Sequence, residues 1–319
     1  MKISIIIPVY NEAENLPLLY KALHETMDTL GMPWQVVFVD DGSTDGSLRV
    51  LEEIGSTDPN HSRVVVLRRN FGQTAAIAAG IDHSDGDVII LMDADLQNDP
   101  ADIPMMVDKI NDGYEVVSGW RVNRQDTFLT RTLPSRLANG LISAVTGVHL
   151  HDYGCTLKAY RREVITGFRL YGEMHRFIPA YANRVGAKMI EVPVHHHPRK
   201  FGKAKYGLER TIKVILDLFT VKFLLSFAEK PIYLFGGTGI VLFGLSLLTL
   251  VYLVLMRIFT GEHMIRSPLL LMSVMLFILG FQSILMGFIA ELLARTYHES
   301  QQKPTYTVRN VINGQKQSL

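Results

Sequence analysis

The sequence predicts an α/β protein in two parts: an open, mostly parallel sheet with helices on both faces, then two helices long enough to cross a membrane. Three observations carry that expectation. Over residues 1–120, short β-branched runs alternate with amphipathic segments. Charged side chains disappear from residues 231–256 and again from 267–290. Polar clusters fall directly after the apolar runs, where an open α/β sheet binds its ligands.

Strands are expected at residues 3–9, 35–39, 63–67, 87–92 and 115–118, each rich in β-branched or aliphatic residues. Between them, residues 16–30, 46–54, 74–81 and 103–110 repeat apolar side chains at helical spacing. Right-handed crossovers then place helices on both faces of the sheet. Residues 189–194 form a further strand-like segment, and 131–148 and 208–227 read as helices with one apolar face. In the last, Leu208, Ile212, Ile215, Leu216, Phe219, Phe223 and Phe227 share a face, while Lys213, Asp217 and Lys222 lie elsewhere. That pattern suits a helix lying in a membrane interface, or an ordinary core-facing helix.

Each uncharged run exceeds the roughly 20 apolar residues that span about 30 Å of hydrocarbon. Lys200, Lys203, Lys205, Arg210, Lys213, Lys222 and Lys230 precede the first run, and Arg295, Lys303 and Arg309 follow the second. The stretch between has only Arg257 and Arg266 as cations. The positive-inside rule therefore puts both termini in the cytoplasm of a multi-pass inner (plasma) membrane protein. The first apolar stretch, residues 3–10, is too short for a secretory signal and leads straight into Asn11 and Glu12. The expected division is a cytoplasmic domain over 1–206, a juxtamembrane helix over 207–230, a two-helix membrane domain over 231–292 and a cytoplasmic tail over 293–319. A net charge of +1 gives no whole-molecule case for nucleic acid. The single cysteine, Cys155, precludes an intrachain disulfide.

Three polar clusters hold the candidate chemistry: Tyr10-Asn11-Glu12, Asp40-Asp41-Gly42-Ser43-Thr44-Asp45 and Asp93-Ala94-Asp95. Paired carboxylates suit a hard divalent cation, Mg²⁺ or Mn²⁺, that bridges to phosphate oxygens, and Gln97 offers a further carbonyl. Asp-x-Asp by itself is more often a solvated turn. Asp40 to Asp45 either caps the helix that follows or binds a nucleoside through a base N–H and a ribose hydroxyl, and the two uses are compatible. His195 and His197 lack a matching Cys or carboxylate set for zinc, and Cys155 has no evident base beside it, which favours packing over nucleophilic chemistry. Gly236, Gly237, Gly239 and Gly244 suit close helix packing, and small-residue faces allow association into a homo-oligomer.

Together, Pro8-Val9-Tyr10-Asn11-Glu12, Val39 to Asp45 and Met92-Asp93-Ala94-Asp95-Leu96-Gln97 resemble the nucleotide-sugar core of the family 2 glycosyltransferases with the GT-A (Rossmann-like) fold. Asp152 to Arg161 and Lys203-Ala204-Lys205-Tyr206-Gly207 resemble segments of the polyprenyl-phosphate glycosyltransferases, nearest to the bactoprenol (undecaprenyl-phosphate) glucosyltransferases and related to the dolichyl-phosphate mannose synthases. Ala204 departs from the pattern, where a Ser is common.

The resemblance implies a metal-dependent, inverting transfer of one hexose to polyprenyl phosphate, with UDP-glucose the first-choice donor and GDP-mannose and modified UDP-pentoses behind it. Pro8, Tyr10, Glu12 and Asp41 would line the nucleoside pocket, and Asp93, Asp95 and Gln97 would hold metal and diphosphate. Arg121, Arg124, Arg131, Ser135 and Arg136 would meet the acceptor phosphate, as guanidinium forks suit phosphate. Arg199, Lys203 and Lys205 would close over the donor diphosphate or attract anionic headgroups. Asp152 corresponds to the inverting base; because a lipid phosphate is already largely ionised at neutral pH, Asp152 alternatively positions the acceptor or balances arginine charge. A processive polysaccharide synthase would need a Gln-x-x-Arg-Trp motif, which neither Trp34 nor Trp120 supplies. A catalytically silent membrane scaffold is the remaining rival.

Overall fold

The computed structural model describes residues 1–122, 140, 142–143, 146–166, 170, 174–198, 232–260, 267–300 and 305–313. Contacts divide the chain into two units: Met1–Val221 with Pro304–Leu319, and Lys222–Lys303. The helix expected at 208–227 and most of that expected at 131–148 lie outside the described residues.

The first unit is built on eight strands: β1 (Ile3–Val9), β2 (Trp34–Asp40), β3 (Ser62–Leu67), β4 (Val88–Leu91), β5 (Val116–Trp120), β6 (Lys158–Arg161), β7 (Met189–Pro193) and β8 (Val308–Ile312), ordered β7-β5-β6-β4-β1-β2-β3-β8. β1 runs parallel to both β2 and β4, and β2 is parallel to β3. The central strands are almost wholly buried, which is why their sequences are continuous apolar runs and not alternating ones. Helices α1 (Leu16–Thr29), α2 (Ser47–Thr57), α3 (Gln73–Asp82) and α4 (Ile103–Asn111) follow β1 to β4 in turn, as the periodicity predicts. α3 lies close against β1, because a methyl group at Gly80 would overlap the Ile6 side chain.

Two strands were not anticipated. β6 lies antiparallel between β4 and β5, and β8 lies antiparallel along β3. Lys-Ala-Tyr-Arg and Val-Arg-Asn-Val-Ile are too short and too polar to announce strands. β8 falls inside the segment set apart from the sequence as a tail, yet it forms the sheet's outer strand. It is held further by Asn313, which donates to the Ser62 carbonyl at 3.2 Å, and by Tyr306, whose hydroxyl donates to Asp82 at 2.8 Å.

The short helices α5 (Arg162–Ile165) and α6 (Ile178–Arg184) complete the described part of this unit. The second unit contains α7 (Ile232–Thr260) and α8 (Pro268–Ser300). Residues Leu234–Phe259 and Pro268–Ala290 are long and apolar enough to cross a membrane, with only 17% and 11% of their most apolar stretches buried, unlike the core helix of a soluble protein. Small residues line the seam between the two helices. A methyl at Gly239 would stand 2.8 Å from the Gly280 carbonyl oxygen, and Ser246 donates to the Ser273 carbonyl at 2.8 Å. Gly237 and Gly244 face open space, so close approach is achieved at Gly239 and not along the whole glycine series.

Candidate active site

The carboxyl ends of β1, β2, β4 and β5 share one edge of the sheet, so the loops leaving them converge. After β1, Asn11 adopts a left-handed conformation with φ 54°. Its side-chain oxygen accepts from the backbone N–H of Thr44 (2.8 Å) and Asp45 (3.3 Å), while its own N–H donates to the Ser43 hydroxyl (3.0 Å). The Glu12 N–H donates to the Ser47 hydroxyl (2.8 Å), so the loops after β1 and β2 are laced into one surface. Asp41 fastens a third segment, accepting from the backbone N–H of Phe71 (2.7 Å) and Gly72 (2.9 Å). Gly42, at φ 68°, lets that segment approach, since a Cβ there would lie 2.6 Å from the Arg69 carbonyl carbon and the Asn70 nitrogen. Burial pushes the Asp40 and Asp41 carboxyls above their ordinary range, against the hydrogen bonds that hold them down. Asp41, expected as a nucleoside ligand, thus has an architectural task that its position in the sequence did not disclose.

Asp93 and Asp95 follow β4, and other side chains orient the first of them. Gln73, at the start of α3, donates to one Asp93 oxygen at 2.8 Å, and the Thr156 hydroxyl donates to the other at 2.6 Å. Asp95 is 8% exposed and accepts from the Gln97 N–H at 3.1 Å. Between them Leu96 sits at φ 60°, a left-handed backbone that costs a non-glycine residue about 1–3 kcal/mol and persists only where its surroundings impose it. The donor set is all oxygen and held by outer hydrogen bonds, as a site for a hard divalent cation requires. The Gln97 carbonyl accepts from the His197 N–H (2.9 Å), which docks the histidine segment beside this loop. His195 and His197 each face a carboxylate, Asp102 at 2.7 Å and Asp99 at 2.8 Å.

Next to the acidic loop, Arg121 follows β5 and forms a two-pronged ion pair with Asp152, Nε to Oδ2 at 2.7 Å and Nη2 to Oδ1 at 3.0 Å. Asp152 is 1% exposed and also accepts from the Gly154 N–H at 3.1 Å. Burial alone would lower the Arg121 pKa, but its bonds to Asp152 and the attraction of that carboxylate outweigh this and hold it above the ordinary value. Arg121 therefore stays protonated throughout the physiological range. Trp120 stacks on His151 with ring centroids 4.3 Å apart, and Glu191 accepts from the His151 N–H at 3.0 Å.

One short segment joins the two halves of this edge. It supplies Asp152 to Arg121 and Thr156 to Asp93, and buried Lys158 donates to the carbonyls of Tyr153 and Cys155 within it. Burial lowers the Lys158 pKa and pushes the Cys155 thiol up to about 11, so Cys155 is a packed thiol at neutral pH.

The structure thus places Pro8, Tyr10, Glu12, Asp41, Asp93, Asp95, Gln97, Arg121 and Asp152 on or beside one edge. Arg124, Arg131, Ser135, Arg136, Arg199 and Lys205 lie outside the described residues. Sequence reasoning gave no individual role to Gln73, Thr156, Lys158 or Glu191. Thr156 and Lys158 stood inside a recognised motif, whereas Gln73 opens a helix read only for its apolar pattern.

A family model described as Glycosyl transferase family 2 matches residues 4–168. A dodecaprenyl-phosphate galacturonate synthase from Rhizobium johnstonii is 41% identical over 321 residues, covering 100% of this chain and 95% of that protein. An undecaprenyl-phosphate 4-deoxy-4-formamido-L-arabinose transferase from an Enterobacter species is 39% identical over 313 residues, covering 98% of this chain and 94% of that one. Among solved structures, glucosyl-3-phosphoglycerate synthase from Mycobacterium tuberculosis, in complex with Mn²⁺, uridine diphosphate and glucosyl-3-phosphoglycerate, superposes with a TM-score of 0.54 at 18% identity. It covers 70% of this chain and 79% of that chain, a likeness of fold.

Proposed function

Because the chain belongs to the family 2 glycosyltransferases, we propose that it transfers one sugar from a nucleotide-sugar to the phosphate of a polyprenyl lipid. The observation that carries this reading is the pairing, on one sheet edge, of an oriented carboxylate pair with a buried Arg121–Asp152 fork, in a chain that aligns end to end with two polyprenyl-phosphate enzymes.

Asp93, Asp95 and Gln97 would hold a divalent ion, Mg²⁺ or Mn²⁺, which would neutralise the departing diphosphate. Pro8, Tyr10 and Glu12 would bound the nucleoside, with Asp41 holding the wall behind them. In a single displacement, an acceptor phosphate oxygen attacks the anomeric carbon from the face opposite the leaving nucleotide diphosphate, and the configuration inverts. The acceptor phosphate is already ionised at neutral pH, so no base is needed to remove a proton. Asp152 would accordingly aim Arg121: a guanidinium has five N–H donors, and the ion pair fixes the plane in which the rest meet phosphate. Arg124, Arg131, Ser135 and Arg136 would extend the acceptor site, and Arg199 and Lys205 the donor site.

Glucose, expected from the sequence, gains no support from the relatives, whose names carry galacturonate and formamido-arabinose. The proposed donor is a uridine diphosphate sugar, with glucose one of three candidates. Membrane insertion through α7 and α8 would bring a soluble donor and a bilayer-held acceptor to one place. β8, which follows both helices, is bonded to β3, which precedes them; a crossing hairpin would then leave and re-enter on one face, and charge placement favours the cytoplasmic one. The catalytic domain would then comprise 1–206, with 207–230 at the interface and 231–292 in the bilayer.

The test presents the purified full chain and polyprenyl phosphate with labelled UDP-glucose, UDP-galacturonate, UDP-4-deoxy-4-formamido-arabinose and GDP-mannose, with Mg²⁺ or Mn²⁺. Label should enter lipid from one uridine donor, and should vanish with chelator or in Asp95→Asn. No labelled lipid from any donor would defeat the proposal.

A further inference from the structure

At the amino end of the strands, opposite the acidic edge, two imidazoles and a carboxylate face one another. We propose that His24, Asp58 and His61 form a binding site for a divalent transition-metal ion of the Zn²⁺ type. Their ligand atoms all lie within 4.8 Å of one another. His24 Nε2 is 3.3 Å from Asp58 Oδ2, and His61 Nδ1 is 3.0 Å from the same oxygen. Ligand atoms around a tetrahedral zinc at 2.0–2.1 Å are separated by about 3.3 Å, and the two contacts to Asp58 are near that spacing.

The surroundings hold the ligands in place. Tyr20, His24 and Asp28 recur every four residues along α1, and Asp28 Oδ2 lies 2.7 Å from His24 Nδ1. A carboxylate on the far nitrogen of an imidazole is the usual outer support of a metal-bound histidine. Both His24 nitrogens thus face carboxylates, Asp28 on the outside and the proposed ligand Asp58 on the inside. Asp58 is steadied by the Tyr20 hydroxyl at 2.6 Å, and the His61 ring stacks on Trp34 at 4.5 Å and 18°. Two imidazoles and one carboxylate suit zinc, with water in the fourth position. The ion would tie α1 to the segment entering β3, far along the sheet from the catalytic edge.

The experiment uses the full chain without a histidine tag, in an Asp93→Asn/Asp95→Asn background that removes the proposed catalytic ion. Zn²⁺ bound after equilibrium dialysis is counted, and Co²⁺ is added in parallel to read its absorption. One equivalent of zinc should bind, Co²⁺ should show the intense visible bands of a tetrahedral site, and zinc should raise the Tm. His24→Gln and His61→Gln should each weaken binding at least about tenfold. Asp28→Asn, whose side chain is 53% exposed and tolerant of change, should weaken binding less, and it carries the test if a histidine variant fails to fold. Unchanged zinc affinity in folded His24→Gln and His61→Gln, or no zinc bound in the background protein, would overturn the site.

Discussion

The Arg121–Asp152 pair yields a quantitative expectation. In Arg121→Met, a carboxylate that is 1% exposed loses hydrogen bonds of 2.7 and 3.0 Å and retains the backbone N–H groups of Gly154 at 3.1 Å and of residue 121 at 3.4 Å. Removing one partner of a buried ion pair costs up to about 3–5 kcal/mol, and less where other groups still meet the remaining charge. Asp152→Asn strands the guanidinium instead; its side chain is 18% exposed and partly hydrated, so the loss of charged hydrogen bonds costs about 2 kcal/mol. The double variant removes both charges and should cost no more than Arg121→Met alone, a coupling of about 2–3 kcal/mol. At about 2–4 °C per kcal/mol for a domain of this size, Arg121→Met should lower Tm by up to about 6–20 °C. Thermal unfolding of the full chain in detergent, read by tryptophan fluorescence, measures all four proteins, with Trp120 beside the pair as reporter. A double variant whose loss equals the sum of the singles would refute the claim that these charges depend on each other.

Three other expectations follow from the same edge. Gly42→Ala must place a Cβ 2.6 Å from backbone atoms of Arg69 and Asn70 at φ 68°, so thermal scans should show a loss of more than about 2 kcal/mol, whereas Gly31→Ala, strained in φ but meeting nothing, should lose about 1. With its pKa pushed to about 11, only about 0.1% of Cys155 is thiolate at pH 8, so the native chain should resist iodoacetamide until unfolded, as mass spectrometry would show. The Asp45 carboxyl is held below its ordinary range: burial acts to raise it, but hydrogen bonds from Ser47 and Ala13 outweigh that. A depressed folded value stabilises above the unfolded value of 3.8 and is lost as pH falls through the folded one, so an acid titration of stability should be shallower in Asp45→Asn below about pH 4.

How far the sequence disclosed the molecule depended on the range of the interactions involved. β1 to β5 and their helices are announced locally, because strands covered on both faces must be apolar throughout. Asp93 and Asp95 are likewise visible, as charges ending such a strand. What orients them is not, since Gln73 lies 20 residues away and Thr156 lies 63. Lys158 points the same way: lysine reads as a surface residue, yet here it is buried in a strand with its ammonium met by the carbonyls of Tyr153 and Cys155. Asp41 was read as facing a ligand because nothing local shows that Phe71 and Gly72 would come to meet it. The Arg121–Asp152 pair joins two residues named from separate motifs, and only the fold shows that they are partners.

The outer strand β8 also bears on how the protein is made. A ribosome releases β3 long before β8, with two greasy helices synthesised in between. Until then the β3 edge exposes unpaired amides, a surface that neighbouring nascent chains can extend. Completion of the sheet must therefore await synthesis of both helices, and a stop codon between Tyr306 and Val308 would leave that edge open for the life of the molecule.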